Sequence, residues 1–465
     1  MDILYSADQC GAGKTTWALD RLASVPGRYV LVVDRQLMAE TRLQEIQDRA
    51  DSFGTTPHVE IVTSEGAKIV GGVGTRIPDA GLRLSSKPHV VVIITHAGLT
   101  KVKRWEAFKL WDAIIIDEAP SLLDREEYAA CPFEAGGLSK FYNLAATGEQ
   151  GVSRIIHRRG FPEPPERWRK FHQLVVTGEA KCDLTSWDEL DRREDAWSAW
   201  RLWDVRKLDG VFGEVIFLAD AFDQSEAFAL MSLDPAVRFQ AFRVAAPRVW
   251  APRPVTIRYV SEERRASTSW FTDERNARDM AKVWGWLALE TAPDHLWTAN
   301  AGLTVTADVG GRKVKPRQAG SNEWRTWHRA SMIYAAKPSP SERKFYAALG
   351  IDPAVIVASR EGNDMIQFFM RTSLRDPAST APVVLRCFDR SQAETIATKL
   401  AEGYGLIADL EHDDIGLALK VRQGGRPPKN GRARMTVEER RAANALAQQK
   451  RRDAKKNNAP SNKAA

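Results

Sequence analysis

A glycine-rich segment near the start of the chain has the composition of a phosphate-binding loop. It reads Asp8-Gln9-Cys10-Gly11-Ala12-Gly13-Lys14-Thr15-Thr16 and lies between an apolar run and a helical pattern. The two glycines let backbone N–H groups turn inward toward phosphate, and the start of the helix adds its dipole. Lys14 would neutralise the β- and γ-phosphates, and Thr15 would bind Mg²⁺. The segment predicts an ATP site formed by Gly11, Ala12, Gly13, Lys14, Thr15 and Thr16.

The same segment departs from the usual phosphate-loop pattern at one position. Asp8 stands where glycine or alanine is usual, whereas the half from Gly11 to Thr16 is intact. A Gly-Lys-Thr triplet alone occurs by chance in long chains. Its position between a strand and a helix makes this one more specific, and we expect a functional loop if a partner motif follows.

The partner motif is an apolar strand that ends in two carboxylates. Residues 111–120 read Trp-Asp-Ala-Ile-Ile-Ile-Asp-Glu-Ala-Pro. Asp117 would hold Mg²⁺ directly or through water, and Glu118 would orient and deprotonate the attacking water. An Asp-Glu pair by itself is most often a surface turn. After three isoleucines, in the same predicted sheet as the phosphate loop, this pair predicts ATP hydrolysis with Mg²⁺ as the metal.

The elements that must position these residues alternate between short apolar strands and helical patterns. Uninterrupted apolar strands separated by helices are typical of a parallel sheet covered on both faces, so we expect an α/β fold. The expected strands are Ile3–Tyr5, Tyr29–Val33, His89–Ile94, Ala113–Ile116 and Val215–Leu218, with helices at Thr15–Leu22 and Leu37–Ile46.

The order of these patterns predicts two lobes, one insertion and one tail. We expect a first lobe over 1–250 with a helical insertion at about 126–208, a second lobe over 264–419, and a basic tail over 420–465. The second lobe repeats the α/β pattern after a proline-rich, irregular stretch. Its strand-like runs are 303–306, 332–334, 355–357 and 383–388, and its helices are 277–289 and 392–400.

Tryptophans and charged residues dominate the expected insertion. Trp197, Trp200 and Trp203 have a spacing that fits one face of a helix. We expect them to be packing residues of a helical subdomain. The alternative is a surface on which the bases of a single strand stack.

Bulk composition predicts a soluble, intracellular protein. The 465 residues suit two or three domains, and 43% hydrophobic with 27% charged residues is a globular mixture. We expect no signal peptide and no membrane helix, and hence a cytoplasmic location. The cysteines are far apart in sequence, which argues against a zinc ribbon or a disulfide framework. They are Cys10, Cys131, Cys182 and Cys387.

Positive charge is concentrated at the end of the chain. From Lys420 onward, 14 lysines and arginines stand against 3 acidic residues, although the whole chain has a net charge of only +7. The segment from Gly424 to Lys429 resembles an AT-hook, which lies in the minor groove of A·T-rich DNA. We expect a disordered tail that tethers the protein to nucleic acid, with DNA favoured over RNA. A merely solubilising tail is the alternative.

With its Asp117-Glu118-Ala119-Pro120 box, the chain resembles the superfamily 2 helicases, in particular the DEAD/DEAH-like proteins of phages and plasmids. Val32–Leu37 is similar to motif Ia of that family, and Ile94–Leu99 is similar to its next backbone-contacting loop. Phe217–Phe222 lies where motif III is expected but lacks both hydroxyl residues. The resemblance implies two RecA-like lobes with ATP and Mg²⁺ between them, and partners from replication or mobile elements.

Two segments of the second lobe extend this resemblance. Gly320-Ser321-Asn322 is similar to a degenerate motif V, and residues 367–375 are similar to motif VI. Gln367, Arg371 and Arg375 would share one helical face. The resemblance implies that Gln367 contacts the nucleotide and that both arginines stabilise γ-phosphate charge across the cleft. Because the spacing differs from the family's QxxGRxxR, the role of each arginine stays open. The alternative is that this segment is an amphipathic helix with exposed arginines.

The function expected from these features is an ATP-dependent helicase or translocase, and two alternatives stay open. The first is a nucleotide-binding, DNA-tethered scaffold or regulator, which Asp8 and the hydroxyl-free motif III favour. The second is a viral packaging ATPase, which also combines both ATP motifs. That enzyme needs a nuclease domain with clustered carboxylates. No nuclease-like strand pattern surrounds the acidic residues Asp409, Glu411, Asp413 and Asp414.

Overall fold

Three β-sheets organise the part of the chain that the computed structural model describes, which comprises residues 1–64, 72–129, 132–160, 164–176, 179–193, 196–316 and 323–417. Two of the sheets are parallel and confirm the predicted α/β architecture of two RecA-like lobes. None of the helices in these ranges is long and apolar enough to cross a membrane. The predicted motif V at 320–322 and the basic tail at 420–465 lie outside the described residues.

The first lobe begins with five strands and four helices in alternation. The central strands are buried on both faces, which explains why their sequences are continuous apolar runs. The elements are β1 (Asp2–Ser6), α1 (Lys14–Ser24), β2 (Arg28–Val33), α2 (Gln36–Phe53), β3 (His58–Ile61), α3 (Val73–Leu84), β4 (Val90–Thr95), α4 (His96–Leu99) and β5 (Trp111–Asp117).

An insertion follows β5, and it is built differently from the helical subdomain that we predicted. Its helices pack against a five-stranded antiparallel sheet with the strand order β6-β10-β9-β8-β7. The elements are β6 (Leu123–Tyr128), α5 (Pro132–Phe141), β7 (Tyr142–Ala146), β8 (Ser153–His157), α6 (Arg169–Val176), β9 (Lys181–Cys182), α7 (Trp187–Arg192) and β10 (Trp197–Leu202).

The tryptophans of the insertion explain this difference. Trp197 and Trp200 lie on strand β10, so the predicted helix is wrong. Residues three apart on a strand point to opposite faces, and both side chains are buried, each against a different core. Trp197 packs inside the insertion, whereas Trp200 meets Phe345 of the second lobe with ring centroids 4.8 Å apart. Because both faces of β10 are buried, its sequence lacks the alternation of apolar and polar residues that would have identified a strand.

The chain then returns to the first lobe and completes its sheet. Strand β11 (Phe212–Leu218) pairs in parallel with β5 and β1, and after α8 (Glu226–Met231) strand β12 (Arg238–Ala241) adds to the edge beside β1. The resulting order is β12-β1-β11-β5-β2-β4-β3, all parallel. The loops after β1 and β5 therefore emerge at the same edge of the sheet, where the strands end.

The second lobe has a six-stranded parallel sheet in the order β15-β14-β16-β17-β13-β18. It begins at Val255, ahead of the expected position 264. Its elements are β13 (Val255–Ser261), α9 (Thr268–Thr272), α10 (Ala277–Ala288), β14 (His295–Ala299), β15 (Arg312–Lys313), β16 (Arg329–Ile333), α11 (Pro340–Ala348), α12 (Pro353–Val357), α13 (Asn363–Phe369), β17 (Val383–Asp389), α14 (Arg390–Tyr404) and β18 (Ala408–His412).

Two predicted strands of the second lobe are wrong. Residues 303–306 form no regular element. The run Val355–Val357 belongs to helix α12, which begins at Pro353 after Asp352 caps the N–H of Ala354 at 2.8 Å. Aspartate followed by proline is a start signal for a helix, and a three-residue apolar run has no periodicity to oppose it.

A cluster of charged side chains joins both lobes and the insertion, and we call it the interlobe cluster. Glu226 on α8 accepts hydrogen bonds from Arg360 of the second lobe, at 2.7 Å to Nε and 2.9 Å to Nη2. The Tyr346 hydroxyl donates to the same carboxylate at 2.5 Å. Arg360 also bonds Glu342 at 3.0 Å, and Glu342 lies 3.7 Å from Arg125 of the insertion. The insertion thus contacts the lobe that does not carry it.

Candidate active site between the lobes

The phosphate loop lies where predicted, between β1 and α1. Gly11 and Gly13 have positive φ values of 81° and 94°, a region that glycine enters without strain. The Lys14 side chain is buried and folds back over the loop, where its Nζ donates to the carbonyls of Asp8 and Gln9, the latter at 3.0 Å. The loop is therefore closed around the lysine.

Asp8 has a structural task that the usual glycine could not perform. Its Oδ2 accepts hydrogen bonds from the Ser6 hydroxyl and from the backbone N–H of Val244, both at 2.9 Å. Val244 belongs to the segment that follows β12 and leads to the second lobe. The departure from the loop pattern thus fastens the connection between the lobes to the phosphate loop.

Thr15 and Asp117 form the predicted metal-binding pair. The Thr15 hydroxyl lies 3.2 Å from both carboxylate oxygens of Asp117. Burial raises the pKa of Asp117, and the nearest guanidinium, that of Arg42, is 3.9 Å away and only partly offsets this. These two residues present three hard oxygen atoms at the mouth of a phosphate loop, which suits Mg²⁺. A divalent cation would also supply the positive charge that this buried carboxylate needs.

Glu118 is held in an unusual backbone conformation. Its φ is 70°, in the left-handed region that non-glycine residues rarely occupy, and its N–H donates to the carbonyl of Leu218 at 2.8 Å. Burial, followed by the charge of Asp117, raises the pKa of Glu118 to about 7. Strain of this kind is concentrated at functional sites, where the surrounding structure enforces it. A carboxyl group with a pKa near neutrality suits proton transfer to and from water.

The second lobe places Gln367, Arg371 and Arg375 opposite the phosphate loop, but not on one continuous helix as predicted. Helix α13 ends at Phe369, and Thr372 has extended backbone angles (φ −82°, ψ −170°), so the chain turns between the three residues. The Gln367 amide donates to the Glu118 carboxylate at 3.4 Å. The turn, rather than a shared helical face, brings the three side chains to one cleft.

Arg371 is a buried cation with little compensation from the protein. Its side chain is 4% exposed, and its Nη1 makes a weak, 3.5 Å contact with the carbonyl of Lys315. Burial lowers the pKa of Arg371 to about 10, so the group stays charged at neutral pH. Buried charges are normally paired. This charge faces the phosphate loop, which is the expected arrangement if an anionic ligand completes the site.

A single cleft between the lobes collects nearly all of the predicted site residues. Ala12 is the exception, and its N–H donates within the loop, to the carbonyl of Gln9 at 3.1 Å. The predicted residues that line the cleft are Gly11, Gly13, Lys14, Thr15, Thr16, Asp117, Glu118, Gln367, Arg371 and Arg375.

The cleft also contains residues that sequence reasoning missed. Arg42 comes from α2, Asp220 from the loop after β11, and Arg248 from the connection between the lobes. Asp220 accepts a hydrogen bond from the Cys10 thiol at 3.3 Å. Asp220 occupies the position of the expected motif III, and its side chain could have been noted there as a polar substitute for the missing hydroxyls. No sequence pattern around Arg42 or Arg248 distinguishes them from the many other arginines of the chain.

A second cleft shares Asp34, Glu118, Asp220 and Gln367 with the first. The predicted motif Ia contributes Asp34 and Arg35 to it, and the loop after β4 contributes His96. The His96 Nε2 lies 2.9 Å from the carbonyl of Asp117. Residues predicted to act on the nucleotide, such as Glu118, thus adjoin residues predicted to contact a nucleic-acid backbone, such as Arg35.

A groove between the first lobe and the insertion adjoins the second cleft, and Thr100 lines both. Three lysines of this groove, Lys101, Lys103 and Lys207, have no carboxylate partner among the described residues. We call it the basic groove. Its unpaired positive charge makes it suited to a polyanion.

Replacing Gln367 with alanine is expected to lower the rate of ATP hydrolysis about fivefold, because one hydrogen bond that orients Glu118 would be lost. Affinity for ATP should change much less. Steady-state kinetics of the Gln367→Ala variant would measure both, with Gln44→Ala, on the exposed face of α2, as the control. An unchanged kcat would show that Glu118 does not depend on this contact.

Several solved structures are similar to this chain in backbone trace. An XPD helicase has 8% sequence identity and a TM-score of 0.43, covering 88% of this chain and 96% of its own. S. cerevisiae Dbp5 bound to RNA and ADP BeF3 has 10% identity and a TM-score of 0.37, covering 88% and 85%. A DEAD box protein from the hyperthermophile Methanococcus jannaschii has 9% identity and a TM-score of 0.29, covering 88% of each. No protein-family model and no curated protein matches the chain.

Proposed function

We propose that the chain is an ATP-hydrolysing motor of the helicase type that acts on nucleic acid, with DNA favoured over RNA. One observation carries the proposal. The cleft places Lys14, Thr15, Asp117 and Glu118 of one lobe opposite the under-compensated cation Arg371 of the other. A nucleotide bound there would contact both lobes at once, so its hydrolysis would change the contact between them.

In this proposal each group of the cleft has one role. Lys14 and the loop N–H groups bind the β- and γ-phosphates. Glu118 orients and deprotonates the attacking water, and Gln367 holds Glu118 in position. Arg371 and Arg375 stabilise the charge that develops on the transferred phosphoryl group. Because both arginines belong to the second lobe, hydrolysis proceeds only when the lobes are closed.

Thr15 and Asp117 would hold the Mg²⁺ ion in the proposed site. Their three oxygens converge within 3.2 Å, which is the type of donor set that this ion prefers. The ion would neutralise charge on the phosphate oxygens. Asp117 is itself held in place by the backbone, since it ends β5 in register with Leu218 of β11.

We propose that nucleic acid lies along the basic groove and the second cleft. The basic groove contains three lysines without a carboxylate partner among the described residues, and the second cleft includes Arg35 of the predicted motif Ia, which pairs with Asp34 at 2.8 Å. Phosphate contacts of this kind do not depend on sequence and weaken with salt. Binding there would reach Glu118 and Gln367 directly, which provides a route for stimulating hydrolysis.

The proposal is tested by ATP hydrolysis with and without single-stranded DNA and RNA oligonucleotides, followed by displacement of a paired strand. We expect hydrolysis that single strands stimulate, more strongly with DNA. If the wild type hydrolyses ATP no faster than Glu118→Gln, the enzyme assignment fails. If it hydrolyses ATP but neither polymer stimulates it or binds, the motor assignment fails.

Charge reversal in the basic groove is expected to weaken this stimulation selectively. Two charge reversals, Lys101→Glu with Lys103→Glu, should raise the DNA concentration for half-maximal stimulation about tenfold at low salt, and less at high salt. Basal hydrolysis should not change, because neither residue lines the nucleotide cleft. Lys109→Glu, an exposed lysine of the same lobe outside the groove, is the control. Equal responses of the two variants would exclude the groove as the binding surface.

A further inference from the structure

The segment that connects the two lobes, residues 242–254, is fastened to the phosphate loop at its first end. The N–H of Phe242 donates to the carbonyl of Tyr5 at 2.9 Å, and its ring lies 5.2 Å from that of Trp17 on α1. Two residues later, the N–H of Val244 donates to Asp8 at 2.9 Å. The beginning of the connection is thus held beside the strand and helix that flank the loop.

The other end of the connection is fastened to the second lobe. Trp250 is buried, its Nε1 donates to the carbonyl of Leu374 at 2.9 Å, and its ring meets that of Tyr404 edge-on at 4.9 Å. The N–H of Ala251 then donates to the carbonyl of Pro377 at 2.8 Å. Between the two anchors, residues 245–249 form an exposed span, and Arg248 of this span lines the nucleotide cleft.

Arg248 lies in this span and reaches over the phosphate loop. Its Nη1 is 3.9 Å from the position that a Cβ atom would take on Gly11, and the Arg375 side chain approaches the same point to 3.5 Å. Among the described residues Arg248 has no carboxylate partner. An unpaired guanidinium beside another arginine and above an anion-binding loop is a geometry that a polyphosphate would stabilise.

We propose that Arg248 binds the terminal phosphate of a nucleoside triphosphate, and that the connection between the lobes thereby distinguishes triphosphate from diphosphate. The proposal rests on nucleotide binding in the proposed function. With a triphosphate bound, Arg248 holds the span against the loop. After the γ-phosphate leaves, this contact is lost, while the Asp8 and Trp250 anchors stay in place. The free span then lets the two lobes move apart.

The test is a comparison of affinities for a non-hydrolysable β,γ-imido ATP analogue and for ADP, measured by calorimetry with the full-length chain and Mg²⁺. We expect Arg248→Ala to weaken binding of the analogue about tenfold and binding of ADP less than about twofold. Arg248→Lys should be intermediate, since it retains the charge but not the paired donors. Arg243→Ala, an exposed arginine of the same segment that does not line the cleft, should change neither affinity.

The outcomes separate this proposal from the proposed function. Equal losses for the analogue and ADP, or no loss for either, would overturn the role of Arg248. A wild type that binds both nucleotides, with the expected selective loss in Arg248→Ala, would support that role even if nucleic acid failed to stimulate hydrolysis. A wild type that binds neither nucleotide would overturn both proposals. Because Arg248 is exposed, its replacement should leave the thermal unfolding temperature unchanged, which excludes a folding defect as the cause.

Discussion

Replacing Glu118 with glutamine is expected to lower kcat for ATP hydrolysis about 10²- to 10⁴-fold, the range for removal of a positioned general base. Glutamine keeps the size of the side chain and can still contact Gln367, but it cannot accept a proton from water. Binding of ATP should persist, because Glu118 is not among the groups that hold the phosphates. Steady-state hydrolysis and equilibrium binding of ATP would measure the two effects separately.

Lys14→Ala is the matching comparison for this prediction. It removes the cation that lies over the loop, so we expect it to weaken ATP binding as well as hydrolysis. The two variants should therefore be distinguishable by affinity. If Glu118→Gln hydrolysed ATP at more than about a tenth of the wild-type rate, another group would have to activate the water. Asp220 would then be the first candidate, since it lines the same cleft.

A substitution in the interlobe cluster is expected to have the second large effect, which is a loss of stability. Replacing Glu226 with alanine removes the carboxylate that Arg360 binds through two hydrogen bonds. It also removes the acceptor of the Tyr346 hydroxyl. The Arg360 and Glu226 side chains are 23% and 19% exposed, so part of the loss is compensated by water. We expect the free energy of unfolding to fall by about 2–3 kcal/mol, somewhat below the range for fully buried pairs.

Urea unfolding followed by tryptophan fluorescence would measure this loss, because Trp200 lies at the same interface. The control is Asp79→Ala, which breaks the exposed Arg104–Asp79 pair of the first lobe, with side chains 59% and 63% exposed. That change should cost less than about 0.5 kcal/mol. Adding Arg360→Met to Glu226→Ala should restore part of the stability, since it removes a partly buried guanidinium that would keep only Glu342 as its carboxylate partner. An equal, small effect of both single changes would contradict a structural role for the cluster.

The sequence could predict those parts of the site that are encoded locally. The phosphate loop and the strand ending in Asp117 each occupy fewer than ten consecutive residues. Their chemistry follows from residue types at fixed spacings, and the parallel sheet that joins them follows from apolar runs. These features needed no knowledge of distant contacts, and the structure places them at one edge of one sheet.

Other parts depend on contacts between distant residues and left no local pattern. Arg248 is unremarkable until the anchors at Asp8 and Trp250 fix its position over Gly11. Strand β10 looked helical because two tryptophans three residues apart are both buried, one in the insertion and one against the second lobe. Apolar residues recur at every second position of a strand, in a recognisable pattern, only when one face of the strand meets water.

The backbone of Glu118 has a consequence for how the protein would change under selection. A non-glycine residue at φ 70°, with a buried carboxyl group, costs folding free energy, and glycine at that position would relieve the cost. In a protein that only binds nucleotide, a substitution that removes this side chain would therefore be stabilising and would be retained. Selection for heat resistance alone would act in the same direction, and variants obtained in that way should exchange catalytic turnover for stability.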